Sequence, residues 1–191
     1  MNGNLTHVCS PNKRGIGIFP DAIFAATLYL LVLDILFMGN TSGKTDELNI
    51  SRERMVELLN EDLAREYQAV IAYVVYSKML KGAAYSDIAG ELETHATEEL
   101  SHALKIAQQI DYLGGIPITT PKPVKISEKA DDMLRFDLEN ERETVANYRQ
   151  RIRQAEAMGE FALSETLREI IVQEQEHEID LADALGIDVP R

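Results

Sequence analysis

The chain has 191 residues, a formal net charge of −13 and a single cysteine, Cys9. This length allows one domain with a sizeable core and an additional segment. One cysteine excludes an internal disulfide bond and any metal site that needs several thiolates. A surface this acidic disfavours nucleic acid and anionic membranes as partners, and it attracts cations.

Residues 1–50 are predicted to be an apolar N-terminal segment followed by a polar tail. Residues 22–38 are almost wholly apolar apart from Asp34. Three interpretations stay open: a marginal membrane anchor within residues 16–38, an export signal, or translation that begins at Met38. We favour the start at Met38 and a cytoplasmic protein, with anchoring or export through residues 16–38 as the alternative.

Two amphipathic helices are predicted next, because apolar residues recur there at helical spacing. Ser51 is the expected N-cap of the first helix, which should end near Met79, before Gly82. Ser86 is the expected N-cap of the second helix, which should end at Gly114. Glycine interrupts helices readily, so a short turn is expected between the two.

Two further amphipathic helices follow a stretch that cannot be helical. Residues 116–127 contain three prolines and are long enough to cross a bundle. A short turn near Gly159 separates the third helix from the fourth, which should end near Gly186. The pattern predicts an all-α domain over residues 51–186, an antiparallel four-helix bundle with one long crossover between helices 2 and 3. Residues 187–191 are a short tail.

Six polar residues fall inside the apolar stripes of these helices at a doubled spacing. Each predicted hairpin carries a lone Glu followed 33 positions later by a Glu-x-x-His pair, and the two copies are offset by 75 residues. Because side chains in the stripes point into the bundle, all six should meet in one interior. The six are Glu66, Glu99, His102, Glu141, Glu174 and His177.

Burying four carboxylates together is costly unless they are protonated or paired, and no Lys or Arg shares their stripes. Two divalent cations would neutralise the set. Carboxylate oxygens mixed with imidazole suit iron or manganese, and a Glu and a His three residues apart share one helix face. Glu99 and Glu174 are the expected bridging ligands, because each lies between its lone Glu and its His.

Four other residues near this set have open roles. Tyr73 follows Glu66 by seven residues, where its phenol can hydrogen-bond a ligand or supply an electron, or simply pack in the core. Tyr148 is a weaker candidate with the same relation to Glu141. His95 lies one turn before Glu99, where it can support a ligand or line an entry path, but a partly exposed helix residue is favoured. Glu98 is expected on a solvated acidic face, with a place along an ion route as the alternative.

The six-residue constellation matches that of di-iron carboxylate bundles, and the chain resembles the bacterioferritin branch of the ferritin-like family over nearly all of residues 51–185. The resemblance rests on five stretches of the sequence. They are Asn60-Glu61-Asp62-Leu63-Ala64-Arg65-Glu66, Tyr73, Glu98-Glu99-Leu100-Ser101-His102, Asp132-Met133-Leu134-Arg135 and Glu174-Gln175-Glu176-His177.

The resemblance implies a ferroxidase that binds two iron ions per subunit, oxidises Fe²⁺ with O₂ or H₂O₂ and stores ferric mineral in a homo-oligomeric shell. Members with haem carry Met just after the Glu of the second helix, where this chain has Leu100, so haem is not expected. Only 14 residues follow His177. Because shells of 24 subunits usually need a fifth helix there, a 12-subunit shell of mini-ferritin length is favoured.

Two alternatives to this function come from other classes of protein. A rubrerythrin-like peroxidase would use the same bundle, but that family usually adds a cysteine module, and this chain has only Cys9. A structural or DNA-protecting shell, as in the mini-ferritins of starved cells, is disfavoured by the six retained ligands and by the lack of a basic tail.

Overall fold

The computed structural model describes residues 48–189. The hypotheses about an anchor, an export signal or a start at Met38 concern residues outside this range. The described residues form four long helices and a short 3₁₀ turn, and no strand is found among them. The helices are α1 (Arg52–Met79), α2 (Ser86–Tyr112), α3 (Ala130–Ala157) and α4 (Phe161–Ala184), and the 3₁₀ turn is Ala83–Tyr85.

The helices pack as the predicted four-helix bundle. α1 packs along α2, and α3 packs along α4, to form two antiparallel hairpins. Across the hairpins α1 contacts α3 and α2 contacts α4. This arrangement brings the helices with the lone Glu residues side by side, and likewise the two helices that carry the Glu-x-x-His pairs.

The turns inside the hairpins lie where glycine was predicted to place them. Gly82 has φ +105° and Gly159 has φ +77°, a region that residues with a Cβ atom rarely adopt. Ser51 caps α1 as expected, since its Oγ accepts a hydrogen bond from the Arg54 backbone N–H at 3.2 Å. The expected cap at Ser86 is wrong. The 3₁₀ turn runs directly into α2, so Ser86 is already helical and its Oγ donates to the Ala83 carbonyl instead.

The crossover between α2 and α3 is the predicted long connection, and it runs along α1. The Asn60 side chain donates to the Ile116 carbonyl at 3.1 Å and accepts from the Ile118 backbone N–H at 2.6 Å. Gln68 donates to the Pro123 carbonyl at 2.8 Å. These contacts satisfy backbone groups that a proline-interrupted segment cannot pair with itself.

The apolar core consists of two clusters, one on each side of the polar residues. One cluster contains Met55, Leu63, Ile106, Ile152 and Leu167 among others. The other contains Ala72, Leu92, Leu134, Leu138 and Leu181 among others. On every helix, the candidate ligands fall between the stretch that joins one cluster and the stretch that joins the other. The core therefore encloses a polar centre near the middle of the bundle.

Candidate metal centre

All six candidate ligands meet in this polar centre. Each is at most 2 % exposed. Their ligand atoms form two groups, and within each group one atom from every residue lies within 4.8 Å of the others. Glu99 and Glu174 belong to both groups, as expected of bridging carboxylates. The groups are Glu66, Glu99, His102 and Glu174, and then Glu99, Glu141, Glu174 and His177.

Each histidine directs its Nδ1 atom at the shared carboxylates. His102 Nδ1 lies 2.9 Å from Glu174 Oε1 and 3.3 Å from Glu99 Oε2. His177 Nδ1 lies 2.9 Å from Glu99 Oε1 and 3.9 Å from Glu174 Oε2. Each imidazole thus lies closer to the shared carboxylate of the other hairpin than to the one on its own helix. Neither hairpin can complete the centre alone.

The outer nitrogens of these histidines are held by two residues from equivalent positions. His102 Nε2 donates to Gln173 Oε1, and His177 Nε2 donates to Glu98 Oε2, each at 2.9 Å. Gln173 also donates to Glu98 at 3.0 Å. A proton fixed on Nε2 leaves the Nδ1 lone pair free for a metal.

The expectation that Glu98 belongs to a solvated face is therefore wrong, since its side chain is only 30 % exposed and bonds His177. Glu98 and Gln173 directly precede Glu99 and Glu174, and that repeated adjacency is the signal that could have located both.

The two tyrosines behave as a pair. Tyr73 on α1 donates its hydroxyl proton to Glu141 on α3, and Tyr148 on α3 donates to Glu66 on α1. Both phenols are completely buried. Each candidate ligand from a lone-Glu position is thus oriented by a tyrosine of the opposite hairpin.

Two buried aspartates lie beside the centre at positions that are equivalent in the repeat. Asp62 pairs with Arg151 at 2.9 Å. Asp137 lies 75 residues after Asp62, but its Oδ2 atom has no hydrogen-bond partner. Burial raises the pKa of the Asp137 carboxyl well above its usual range, and the nearby Glu99 raises it further. The uncharged form of Asp137 is therefore favoured.

The ligand set itself holds protons in the absence of metal. Burial raises the pKa of Glu99 and raises that of Glu141 well above its usual range, and neighbouring carboxylates add to both shifts. Burial opposes protonation of the histidines, but Glu99 and its neighbours still raise the pKa of His177 to about 9. Burial also lowers the pKa of His102, but the surrounding carboxylates, Glu174 first among them, raise it strongly overall.

The metal-ligand atoms of the six residues are arranged better for binding two cations than for hydrogen-bonding to one another. Glu66 Oε2, Glu99 Oε1, both oxygens of Glu174 and His177 Nδ1 are buried and make no hydrogen bond of acceptable geometry. Each of these atoms lies 2.9–3.9 Å from an oppositely charged atom of the same set. Buried polar atoms normally make well-aligned hydrogen bonds, so this concentration of poorly aligned contacts favours cations as their partners. A narrow cavity of about 10 Å³ between α1 and α3 reaches the four carboxylates, and Gln68, Asn140 and Thr144 also line it.

A further histidine is buried close to the centre. His95 is 3 % exposed, and its ring centroid lies 4.0 Å from that of His177. The expectation of a partly exposed residue is wrong, because α4 covers this part of α2 and Asp180 of α4 accepts a hydrogen bond from His95 Nε2 at 3.2 Å. Burial, assisted by His177, lowers the pKa of His95 to about 4. His95 is thus neutral near pH 7.

The helices of residues 48–189 show no membrane span, since none combines the necessary length with sufficient hydropathy. This finding covers the bundle and not the apolar N-terminal segment.

A family model described as a ferritin-like domain matches residues 56–188. The chain belongs to the ferritin-like family. Among curated relatives, the bacterioferritin of Brucella melitensis is 25 % identical over 140 residues, which is 70 % of this chain and 87 % of that protein. The bacterioferritin of Desulfovibrio desulfuricans is 26 % identical over 127 residues, which is 66 % of this chain and 71 % of that one.

Solved structures agree with this ferritin-like assignment. A ferritin-like, diiron-carboxylate protein from Bacillus anthracis is 33 % identical with a TM-score of 0.68, and the match covers 72 % of this chain and 99 % of that chain. The dodecameric thioferritin of Bacteroides fragilis, a bacterioferritin-related protein, is 27 % identical with a TM-score of 0.66, and the match covers 72 % and 87 %. The expected four-helix ferritin-like bundle and its bacterioferritin relatives are thus confirmed.

Metal binding to this ferritin-like protein should release protons. At pH 7 the raised pKa values leave His102 and His177 protonated, whereas a metal ligand must be a neutral imidazole. Loading the centre near pH 7 should therefore release at least two protons per chain. The apparent affinity should fall as the pH decreases below about 9, where His177 takes up its proton.

Isothermal titration calorimetry with Co²⁺ in buffers of different ionisation enthalpy measures this release. If the heat of binding is the same in every buffer, metal binding releases no protons from the histidines. That result would contradict their role as ligands.

Proposed function

We propose that this protein is a ferroxidase that oxidises Fe²⁺ at an intra-subunit di-iron centre formed by Glu66, Glu99, His102, Glu141, Glu174 and His177. The observation that carries the proposal is the pair of overlapping four-residue groups that share Glu99 and Glu174. A mononuclear site would leave one group of donors unexplained. Oxygen and imidazole donors without thiolate suit iron in both of its common oxidation states.

A centre with two iron ions suits an oxidant that accepts two electrons. Each Fe²⁺ gives up one electron, and two of them reduce one H₂O₂ with two protons to two waters. O₂ accepts the same pair of electrons and two protons to form H₂O₂. Paired sites therefore deliver both electrons at one place. The narrow cavity at Gln68, Asn140 and Thr144 supports an approach for small reactants from the α1–α3 side.

We propose that the product is stored as ferric mineral inside a homo-oligomeric shell. The fold family supports storage, and the dodecameric assembly of the Bacteroides fragilis relative supports a 12-subunit shell here. The domain responsible would span residues 51–186, with residues 1–50 and 187–191 outside it. Leu100 stands where haem-binding members carry Met, and leucine offers no ligand to a haem iron, which supports a centre that works without haem.

The tyrosines are assigned to positioning. The Tyr73 hydroxyl donates to Glu141, so its proposed role is to hold that carboxylate in one rotamer, and Tyr148 does the same for Glu66. The alternative of electron donation by Tyr73 has a distinct signature, because it would leave a tyrosyl radical after oxidation.

The variant Glu99→Gln should lower the initial rate of Fe²⁺ oxidation by more than about 100-fold, because it removes a charge that both ions share. Assembly should persist, since the burial that raises the pKa of Glu99 makes its charge costly in the metal-free bundle. Stopped-flow absorbance of the ferric product and light scattering measure the two properties.

The matched control is Glu93→Gln, which makes the same change at an exposed position of α2. It should oxidise Fe²⁺ at the rate of the natural sequence. Equal rates in the two variants would place the reaction elsewhere.

The variants Tyr73→Phe and Tyr148→Phe should behave alike and weaken Co²⁺ binding by about 10-fold, because each removes one bond to a ligand. Equilibrium titration with visible absorption measures the affinity. Normal affinity together with a radical signal that only Tyr73→Phe abolishes, seen by electron paramagnetic resonance, would replace positioning by electron donation.

A further inference from the structure

A second group of metal-type side chains lies between α2 and α4. One nitrogen of His95 and one carboxylate oxygen each from Glu91 and Asp180 lie within 4.8 Å of one another. Ligands around one ion with bonds of about 2.1 Å lie about 3 to 4.2 Å apart. The group is therefore close enough to hold a divalent cation with small side-chain movements.

This group has no counterpart in the internal repeat. The position equivalent to His95 in the other hairpin is Ile170, and the position equivalent to Asp180 is Lys105. Ile170 is completely buried, so an apolar side chain fills the equivalent place in the other hairpin. Packing alone does not require an imidazole at position 95.

His95 is also incompletely satisfied in the structure. Its side chain is more than nine-tenths buried, and Nδ1 has no hydrogen-bond partner while Nε2 faces Asp180. A buried nitrogen without a hydrogen-bond partner destabilises the folded state, because it has lost its contact with water. Such a residue next to two carboxylates indicates a ligand rather than a structural histidine.

An open pocket borders two members of this group, Glu91 and Asp180. It has a volume of about 360 Å³ and is lined by Asp87, Glu91, Asp180 and Asp183, with no Lys or Arg among its lining residues. Four carboxylates around one pocket raise the local concentration of cations. The pocket lies on the α2–α4 side, whereas the narrow cavity of the candidate di-iron centre lies between α1 and α3.

We propose that Glu91, His95 and Asp180 form a third divalent-cation site, separate from the di-iron centre and reached through the acidic pocket. Three protein ligands leave positions for water, so an ion there can be exchanged. The ring of His95 lies against His177, and one of its nitrogens lies within 4.8 Å of one ligand atom each of Glu98 and His177. The third site thus adjoins the centre, and its role as an outer station for Fe²⁺ rests on the proposed function.

Anaerobic equilibrium dialysis of the full chain against Co²⁺, at physiological ionic strength, tests the site. The natural sequence should bind three ions per chain, and the double variant Glu91→Gln/Asp180→Asn should bind two. The matched control Asp87→Asn/Asp183→Asn removes the same charge from the same pocket but keeps the cluster, so it should still bind three. All four positions are exposed or partly exposed, so folding should be unaffected.

A double variant that binds as many ions as the natural sequence would overturn the proposal. If the control variant also lost one bound ion per chain, the proposal would be overturned, because the pocket would then attract ions only through its overall charge. Failure of the di-iron centre is distinguishable: the natural sequence would then bind one ion and the Glu91→Gln/Asp180→Asn variant none. As a second check, His95→Gln should abolish the ¹⁴N coupling of the ion that remains in a Glu99→Gln/Glu174→Gln protein, measured with Mn²⁺ by pulsed electron paramagnetic resonance.

Discussion

The constraint on which the structure depends is the burial of four carboxylates and two imidazoles in the middle of an apolar bundle. Charges in such an interior are stable only when they are neutralised and hydrogen-bonded. Protons do this in part, as the raised pKa values of Glu141 and His177 show. Even with these protons, five buried ligand atoms make no well-aligned hydrogen bond. Two cations would bind all five.

The internal repeat explains why the centre is symmetric and why it needs both hairpins. Each tyrosine orients a carboxylate of the other hairpin, and each histidine is held by a residue of the other Glu-x-x-His helix. Rigid helices carry every one of these groups, so their positions are set by the packing of the bundle. The two copies differ at His95, whose equivalent is Ile170, and in the pairing of Asp137, whose equivalent Asp62 has Arg151 as its partner. Both differences lie beside the centre.

The fold and the six central residues could be predicted from the sequence, because apolar periodicity, the three prolines and the doubled Glu-x-x-His spacing are local patterns. The contacts that were missed depend on which helix lies opposite. Glu98 lies off the apolar stripe of α2, yet α4 brings His177 to it. From the pattern of α2 alone, His95 was expected to be partly exposed, but α4 covers it. Ser86 does not cap α2, because a 3₁₀ turn that the sequence pattern did not predict precedes the helix.

The most direct test of the account is anomalous diffraction at the iron absorption edge from crystals soaked anaerobically in Fe²⁺. The account predicts two peaks about 3.5–4 Å apart among the six residues, with Glu99 and Glu174 contacting both. A single peak at this place, or none, would contradict a di-iron centre. With no peak at all, the buried carboxylates would be neutralised by protons alone.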